Sequence, residues 1–143
     1  MNFSYNDEQL SYRKKIRDFA VEISVDNLQE NDANSTFNKS GWLKCGEFGI
    51  QGGLIPCEFG GQGLDLLTYI SGLELLGELC RDSGLLFSIC AHVFACELSI
   101  LNFGSDEQKR RWLPGLCSGK QIAAIAIAEK QGASDAFDML TVA

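Results

Sequence analysis

The feature that most restricts the fold of this chain is a single predicted β-strand placed after a long helical region. The sequence QIAAIAIAEKQGASD, residues 121–135, begins with the apolar run 122–127, turns polar, and ends eight residues before the last one. A lone strand has unpaired edges and is not stable by itself. We therefore predict an all-α domain followed by the opening strand of a β-domain that these 143 residues do not complete.

Helical spacing of apolar residues accounts for the first third of the chain. Asn6 is predicted to cap a helix whose first turn is acidic, which suits the positive end of the helix dipole. One face of this helix is apolar at Ile16, Phe19, Ala20 and Ile23. The polar residues 29–36 predict a turn, and Ser40 then predicts a short helix that Gly49 ends.

Residues 52–65 form a region rich in glycine, with five of the chain's 15 glycines and one of its two prolines. This composition predicts an irregular loop. Asp65 then predicts the start of a helix that runs to about Arg81. The side of that helix predicted to be buried consists of Leu66, Leu67, Ile70, Leu73, Leu76 and Leu79.

Two further helices are predicted before the strand. Asp82 or Ser83 caps an apolar helix over 85–102, which Gly104 ends. Ser105 and Gln108 have the spacing of a capping box for the last helix, which we predict to end before Pro114.

Charge and composition restrict the function. The net charge is -7 and the acidic residues are spread along the chain, a field that repels phosphate backbones and argues against nucleic acid as a partner. The six cysteines contain no C-x-x-C pair and there is only one histidine, so we predict reduced buried thiols, no metal site and a cytoplasmic protein. No export signal is visible at the N-terminus. The apolar residues 84–103 include His92 and Glu97, which favours a core helix over a membrane span.

Four motifs in this order resemble the amino-terminal half of the acyl-CoA dehydrogenases. They are IPCEFGGQG at 55–63, the pair Ala91-His92, NFGSDEQKRRWLPGLCSGK at 102–120, and AIAEKQGASD at 126–135. The resemblance implies that residues 1–120 form the helical N-terminal domain of that family. It also implies that residues 121–143 begin the middle β-domain, and that a complete member adds a carboxy-terminal helical bundle.

The last motif is similar to the segment of the family that runs beside FAD. Carried over by position, the resemblance implies that the cofactor is lined by Ile125, Ala126, Ile127, Ala128, Glu129, Lys130, Gln131, Gly132, Ala133 and Ser134. Ser134 also matches the serine that touches the acyl thioester. The chain departs from the usual motif at Ala128, where the family has threonine, at Lys130, where it has proline, and in the order Gly132-Ala133. The alternative is a simple turn capped by Ser134 or Asp135.

The resemblance implies an oxidoreductase of fatty acid metabolism that desaturates an acyl-CoA or acyl-carrier-protein thioester between Cα and Cβ. It further implies a homo-oligomer, dimer or tetramer, that passes electrons to an electron-transferring flavoprotein. No catalytic residue is assigned in this chain, because the family's catalytic glutamate lies in the carboxy-terminal bundle. His92 is interpreted as a core histidine without a role. Leu85, Leu86, Ile89, Val93 and Ile100 match the walls of the acyl tunnel, although core packing explains them equally well.

Two alternatives remain open from the sequence. The chain could be a helical module without enzymatic activity that pairs with a separate chain. It could also belong to a flavin monooxygenase or an acyl-CoA oxidase that uses the same helical domain.

The 143 residues alone are expected to lack desaturase activity, since no base is assigned among them. The measurement is turnover of acyl-CoA substrates by the purified chain supplied with FAD and an artificial electron acceptor. Turnover above that of free FAD would show that the reacting groups had been placed in the wrong part of the protein.

Overall fold

Seven α-helices form the domain in a computed structural model that describes residues 4–23, 28–130 and 139–142. The helices are α1 (Asp7–Glu22), α2 (Leu28–Ala33), α3 (Lys39–Phe48), α4 (Leu66–Leu79), α5 (Ser83–Cys90), α6 (Leu98–Phe103) and α7 (Asp106–Cys117). A 3₁₀ turn covers Cys57–Phe59, and a π-helical stretch, Ala91–Glu97, joins α5 to α6. The prediction of an all-α fold is confirmed.

Most of the predicted helix starts are confirmed. Asn6 and Ser105 each form a capping box, with Gln9 and Gln108 as the reciprocal residues. Asp65 accepts hydrogen bonds from the backbone N–H groups of residues 67 and 68, and Asp82 accepts one from residue 85. Each such cap stabilises its helix by about 1 kcal/mol, since it satisfies backbone donors that the helix leaves free.

The start of α3 differs from the prediction. Asn38, and not Ser40, caps this helix, because its Oδ1 accepts the N–H of Gly41 at 2.8 Å. Its Nδ2 also donates to Asp82 Oδ2 at 3.0 Å, so one amide joins α3 to the start of α5. Gly49 ends α3 in the left-handed conformation at φ 95°, as predicted.

The turn predicted at residues 29–36 is wrong for its first half, which forms α2. This six-residue helix buries none of its side chains. The polar composition was interpreted as a sign of a turn. A polar sequence can nevertheless form an exposed helix when the backbone groups at its end are hydrogen-bonded. The N–H groups of Ser35 and Thr36 bond back to Asp32 O and Asn31 O, and Ser35 takes the positive φ of 52° that this ending requires.

The buried side of α4 was also predicted wrongly. Leu66, Leu67, Ile70 and Leu79 are exposed, Leu67 to 70%, and of the predicted set only Leu76 is fully buried. The buried positions are Thr68, Tyr69, Ser71, Gly72, Leu75 and Leu76. Small residues decide the orientation, because a Cβ on Gly72 would lie 2.3 Å from the Tyr12 ring on α1. The two helices approach most closely where α4 has no side chain.

The apolar helix predicted over 85–102 exists as the continuous helical stretch Ser83–Phe103, made of α5, the π-helical stretch and α6. Its buried side holds Leu85, Ile89, His92, Val93, Cys96 and Glu97. By length and composition alone, this stretch could also cross a membrane, and a third of its most apolar window is buried in the domain.

The last helix continues beyond its predicted end. Pro114 lies inside α7, which ends at Cys117. Proline lacks an N–H and so removes one helical hydrogen bond, yet a proline this near the end of a helix leaves the last turn intact. That turn carries Leu116 and Cys117 into the core.

The strand predicted at 122–127 does not form among the residues that the structure describes. Residues 122–128 have no regular secondary structure, and Glu129 alone makes an isolated β-bridge. Strand assignment requires a partner, and no described segment runs beside 122–128. The strand prediction is therefore wrong for these described residues, although the apolar run does lie outside the helices.

Two glycines of α4 provide a matched test of the packing. Gly72→Ala should lower the free energy of unfolding by about 1–3 kcal/mol, because the new methyl group overlaps Tyr12. Gly77→Ala is the control, since nothing lies within 4 Å of its Cβ position, and alanine there should raise the stability by up to about 1 kcal/mol. Urea unfolding of both variants measures the difference. Equal effects would contradict the observed orientation of α4.

Candidate functional site

The candidate site begins where the chain leaves α7. Gly119 adopts φ 70° just after the helix, and Trp42 Nε1 donates to its carbonyl oxygen at 2.9 Å. A side chain on Gly119 would lie 3.2 Å from that indole nitrogen. The N–H of Gln121 then bonds to Gly115 O at 3.0 Å. These contacts direct residues 121–130, hereafter the exit segment, away from the helix ends.

His92 bonds to the exit segment at Ala123, two residues after Gln121. The N–H of Ala123 donates to His92 Nδ1 at 3.2 Å, and the imidazole is 1% exposed. The sequence interpretation assigned His92 no role beyond the core. The structure agrees that it is buried but adds a bond to the segment that resembles the flavin motif. The Ala91-His92 pair was the available signal, and it was not connected to residues 31 positions later.

The next five residues, 124–128, are exposed, with Ile125 at 52% and Ile127 at 48%. Within the described part of the chain, their backbone N–H and C=O groups bond to no other residue. Among these, the peptide groups of residues 125–128 lie at candidate cofactor positions and are free to bond a ligand.

Glu129 ends this open stretch. Its carboxylate accepts hydrogen bonds from the N–H groups of Leu140, at 2.8 Å, and Thr141, at 2.9 Å, and from the Thr141 hydroxyl. The side chain of Glu129 therefore joins residue 129 to residues 140 and 141.

Six of the ten predicted cofactor residues lie in the described exit segment: Ile125, Ala126, Ile127, Ala128, Glu129 and Lys130. The other four, Gln131, Gly132, Ala133 and Ser134, lie outside the described residues. These six are consecutive in the chain, and all of them except Glu129 are exposed.

The described residues fit the polar edge of a flavin. A flavin ring offers N–H and C=O groups at its pyrimidine edge, which exposed peptide groups satisfy. The small side chains of Ala126 and Ala128 allow close approach to the backbone. Glu129 fits less simply, because its carboxylate is already bonded within the chain.

An apolar groove of about 760 Å³ adjoins the start of the exit segment. Its walls come from α6, α7 and the exit segment: Ser99, Ile100, Phe103, Gly104, Gln108, Trp112, Leu116, Gln121, Ile122 and Ala123. Of the five residues matched to the acyl tunnel, only Ile100 lines this groove. Leu85, Ile89 and Val93 are fully buried in the domain core instead, so their packing role is the one that the structure shows.

The cysteines are free, as predicted, and four of the six are buried. Burial raises the pKa of Cys45 and that of Cys117 to about 12, so both stay protonated and unreactive at neutral pH. Cys57 is exposed, which the prediction of buried thiols missed. Among the described residues, no group of three or more His, Cys, Asp or Glu side chains could hold a metal ion.

Comparisons with known proteins agree with the described geometry. The family model "Acyl-CoA dehydrogenase, N-terminal domain" matches residues 6–120. An L-prolyl-[peptidyl-carrier protein] dehydrogenase of Pseudomonas fluorescens is 37% identical over 141 residues, which cover 97% of this chain and 36% of that protein. The short-chain-specific acyl-CoA dehydrogenase of Clostridium acetobutylicum is 32% identical over 143 residues, covering all of this chain and 37% of that protein.

Solved structures show the same relation. The prolyl acyl carrier protein oxidase AnaB matches with a TM-score of 0.89 and 43% identity, over 95% of this chain and 36% of that one. The FAD complex of PigA matches with a TM-score of 0.88 and 33% identity, over 97% of this chain and 36% of that one. The chain thus spans little more than a third of these relatives. It belongs to the acyl-CoA dehydrogenase family, whose N-terminal helical domain it carries.

Proposed function

We propose that the protein is a flavin-dependent dehydrogenase of acyl thioesters, with this chain as its helical domain and the first part of its flavin site. The observation that carries the proposal is the run of exposed peptide groups at 125–128, which bond to no other described residue. It belongs to the segment that resembles the family's flavin-binding motif, and it follows a domain that the family model matches.

In this proposal the exit segment holds and orients FAD. Backbone N–H groups of residues 125–128 donate to the ring edge, and they are already exposed before the ligand arrives. Fixed donors of this kind stabilise negative charge as it develops, since they need no reorganisation. When bound, the flavin supplies the acceptor for the hydride that leaves Cβ of the acyl group.

The helical domain contributes position rather than acid–base chemistry. No residue of the chain is assigned as the base that removes the α-proton, and the resemblance implies that this base lies in the family's carboxy-terminal bundle. The apolar groove beside Ile122 and Trp112 offers an apolar wall to a ligand at the start of the exit segment. A ligand that filled this groove would displace water and so strengthen the hydrogen bonds made beside it.

The acyl group is proposed to arrive on a carrier protein, with prolyl as the first acyl group to test. This choice rests on relatives of two kinds, the L-prolyl-[peptidyl-carrier protein] dehydrogenase and the prolyl acyl carrier protein oxidase. A short-chain acyl-CoA is the alternative, supported by the clostridial relative.

The same proposal extends to setting and partners. Free and largely buried thiols suit a reducing cytosol, and the stretch Ser83–Phe103 is proposed to be a packed helix of the domain and not a membrane span. A dimer or tetramer that delivers electrons to an electron-transferring flavoprotein is the assembly implied by the resemblance. The oxidase, the monooxygenase and the inactive module are outcomes that the experiments below would reveal.

Ala128→Thr should increase the affinity for FAD by up to about tenfold, because it restores the hydroxyl that the family's motif places against the ring; one hydrogen bond of about 1.4 kcal/mol corresponds to that factor. The dissociation constant is measured by quenching of flavin fluorescence, using the gene product that contains these residues. Ala124→Thr is the matched control, since it adds the same hydroxyl one residue before the candidate cofactor residues. Equal affinities for both variants would remove Ala128 from the flavin site.

Substrate choice is tested by anaerobic bleaching of the flavin in the same gene product. Prolyl-loaded carrier protein should reduce the flavin at least tenfold faster than a short-chain acyl-CoA at equal concentration. Faster bleaching by the acyl-CoA would overturn the carrier-protein proposal and leave the dehydrogenase proposal in place. If neither thioester reduces a bound flavin, the dehydrogenase proposal fails. Formation of hydrogen peroxide without an added acceptor would identify an oxidase.

A further inference from the structure

His92 has its two ring nitrogens in different environments. Nδ1 accepts the N–H of Ala123 at 3.2 Å, which requires that Nδ1 carry no proton. Nε2 lies 3.2 Å from Glu97 Oε1 and 3.4 Å from Leu116 O, both of them acceptors. The surroundings therefore select the tautomer with its proton on Nε2.

Glu97 is the second half of this arrangement. It is fully buried, and neither of its oxygens makes a well-aligned hydrogen bond to a described residue, so its contact with His92 is a close approach between polar groups. Burial raises the pKa of Glu97, and the neighbouring His92 partly lowers it. A buried carboxylate is costly unless it is compensated, so its presence needs a reason.

The π-helical stretch explains how these two residues meet. In an α-helix, residues five apart point about 140° away from each other. In Ala91–Glu97 the hydrogen bonds join residues five apart, as in the bond from Leu98 N–H to Val93 O. Residues 92 and 97 therefore lie on the same side, facing the exit segment and the end of α7. Such π-helical stretches occur often at functional sites.

The other groups around the pair keep the imidazole in place. The Trp42 ring meets His92 edge-on, with ring centroids 5.0 Å apart. Tyr69, Cys96 and Cys117 also surround Glu97, and burial raises the pKa of all three, so they remain neutral. The packing of Trp42 limits rotation of the ring, and Glu97 limits which nitrogen carries the proton.

The bond from Ala123 to His92 is the one described hydrogen bond between residues 122–128 and the helical domain. Gln121 is bonded on one side of this stretch, to Gly115, and Glu129 on the other, to Leu140 and Thr141. Ala123 lies only two residues before Ile125, the first candidate cofactor residue. A shift of Ala123 therefore moves the peptide groups that would bond the ring.

We infer that His92 is a positioning residue for the proposed flavin site: its bare Nδ1 anchors Ala123, while Leu116 O and the nearby Glu97 Oε1 favour the proton on Nε2. The positioning role rests on the proposed function, whereas the hydrogen bond between Ala123 and His92 does not. Flavin binding then benefits because the exit segment is placed in advance, which lowers the ordering cost of binding.

The bond is tested first without flavin, by NMR of the ¹⁵N-labelled chain. His92 is the only histidine, so its ring nitrogens are assigned without ambiguity. Nδ1 should show the shift of an unprotonated nitrogen and Nε2 that of a protonated one at neutral pH. The amide hydrogen of Ala123 should exchange at least tenfold more slowly than that of Ala124. A proton on Nδ1, or equal exchange of the two amides, would overturn the inference.

Two pairs of variants then test positioning. Ala123→Pro removes the donated N–H, whereas Ala124→Pro removes an N–H that bonds no described residue. His92→Phe removes the acceptor, whereas His92→Asn places an amide oxygen near the position of Nδ1. Flavin affinity in the gene product should fall about tenfold for Ala123→Pro and His92→Phe. It should stay within about threefold for Ala124→Pro and His92→Asn.

The results separate the inference from the proposed function. If the unaltered protein binds no FAD, the proposed function fails, and the NMR data still decide whether Ala123 is anchored. If it binds FAD and Ala123→Pro binds as tightly as Ala124→Pro, the positioning role is wrong and the flavin site stands. Should His92→Phe fail to fold, the proline pair decides, because both prolines lie outside the helical core.

Discussion

The exit segment depends on one buried indole. Trp42 is almost completely buried in α3, and its Nε1 donates to Gly119 O at the end of α7. Its own backbone carbonyl accepts Gln51 Nε2 at 2.9 Å, and its ring packs edge-on against His92. One side chain thus joins α3, the loop after it, the exit from α7 and the histidine that holds Ala123. The direction of the chain beyond residue 119 follows from these contacts.

Glycines make this junction possible by letting backbones approach. A Cβ on Gly46 would lie 2.3 Å from Ser118 O, so α3 and the end of α7 meet closely only because that side chain is missing. Gly72 plays the same part between α4 and α1, and Gly61 lets the glycine-rich loop fold over Ile55 O, 2.0 Å from its Cβ position. Backbone segments of the domain therefore approach each other closely at glycines, and large apolar side chains fill the space around these contacts.

This assembly explains which features could be predicted from the sequence. Caps at Asn6, Asp65, Asp82 and Ser105 are local, because donor and acceptor lie within three residues, and the sequence pattern identified them. The orientation of α4 is not local. That helix is apolar on two sides, and the choice between them depends on Tyr12, more than fifty residues earlier. The role of His92 was hidden for the same reason, since its partners Ala123 and Trp42 are distant in sequence. Periodicity and caps predicted a helical domain, and the family resemblance supplied its arrangement and the position of the candidate flavin motif.

The packed core and the open residues 124–128 have different roles in the proposed binding of a cofactor. The domain core is closed by packing and by buried hydrogen bonds such as that from Tyr69 to Ile50 O. Residues 124–128 have neither, and a segment with so few internal bonds has low local stability. A ligand that bonds these peptide groups must supply the free energy that orders them. The bond from Ala123 to His92 holds the segment at its start and reduces that cost without using the groups beyond it. The open stretch can then remain free to bond a cofactor while its beginning is held by the helical domain.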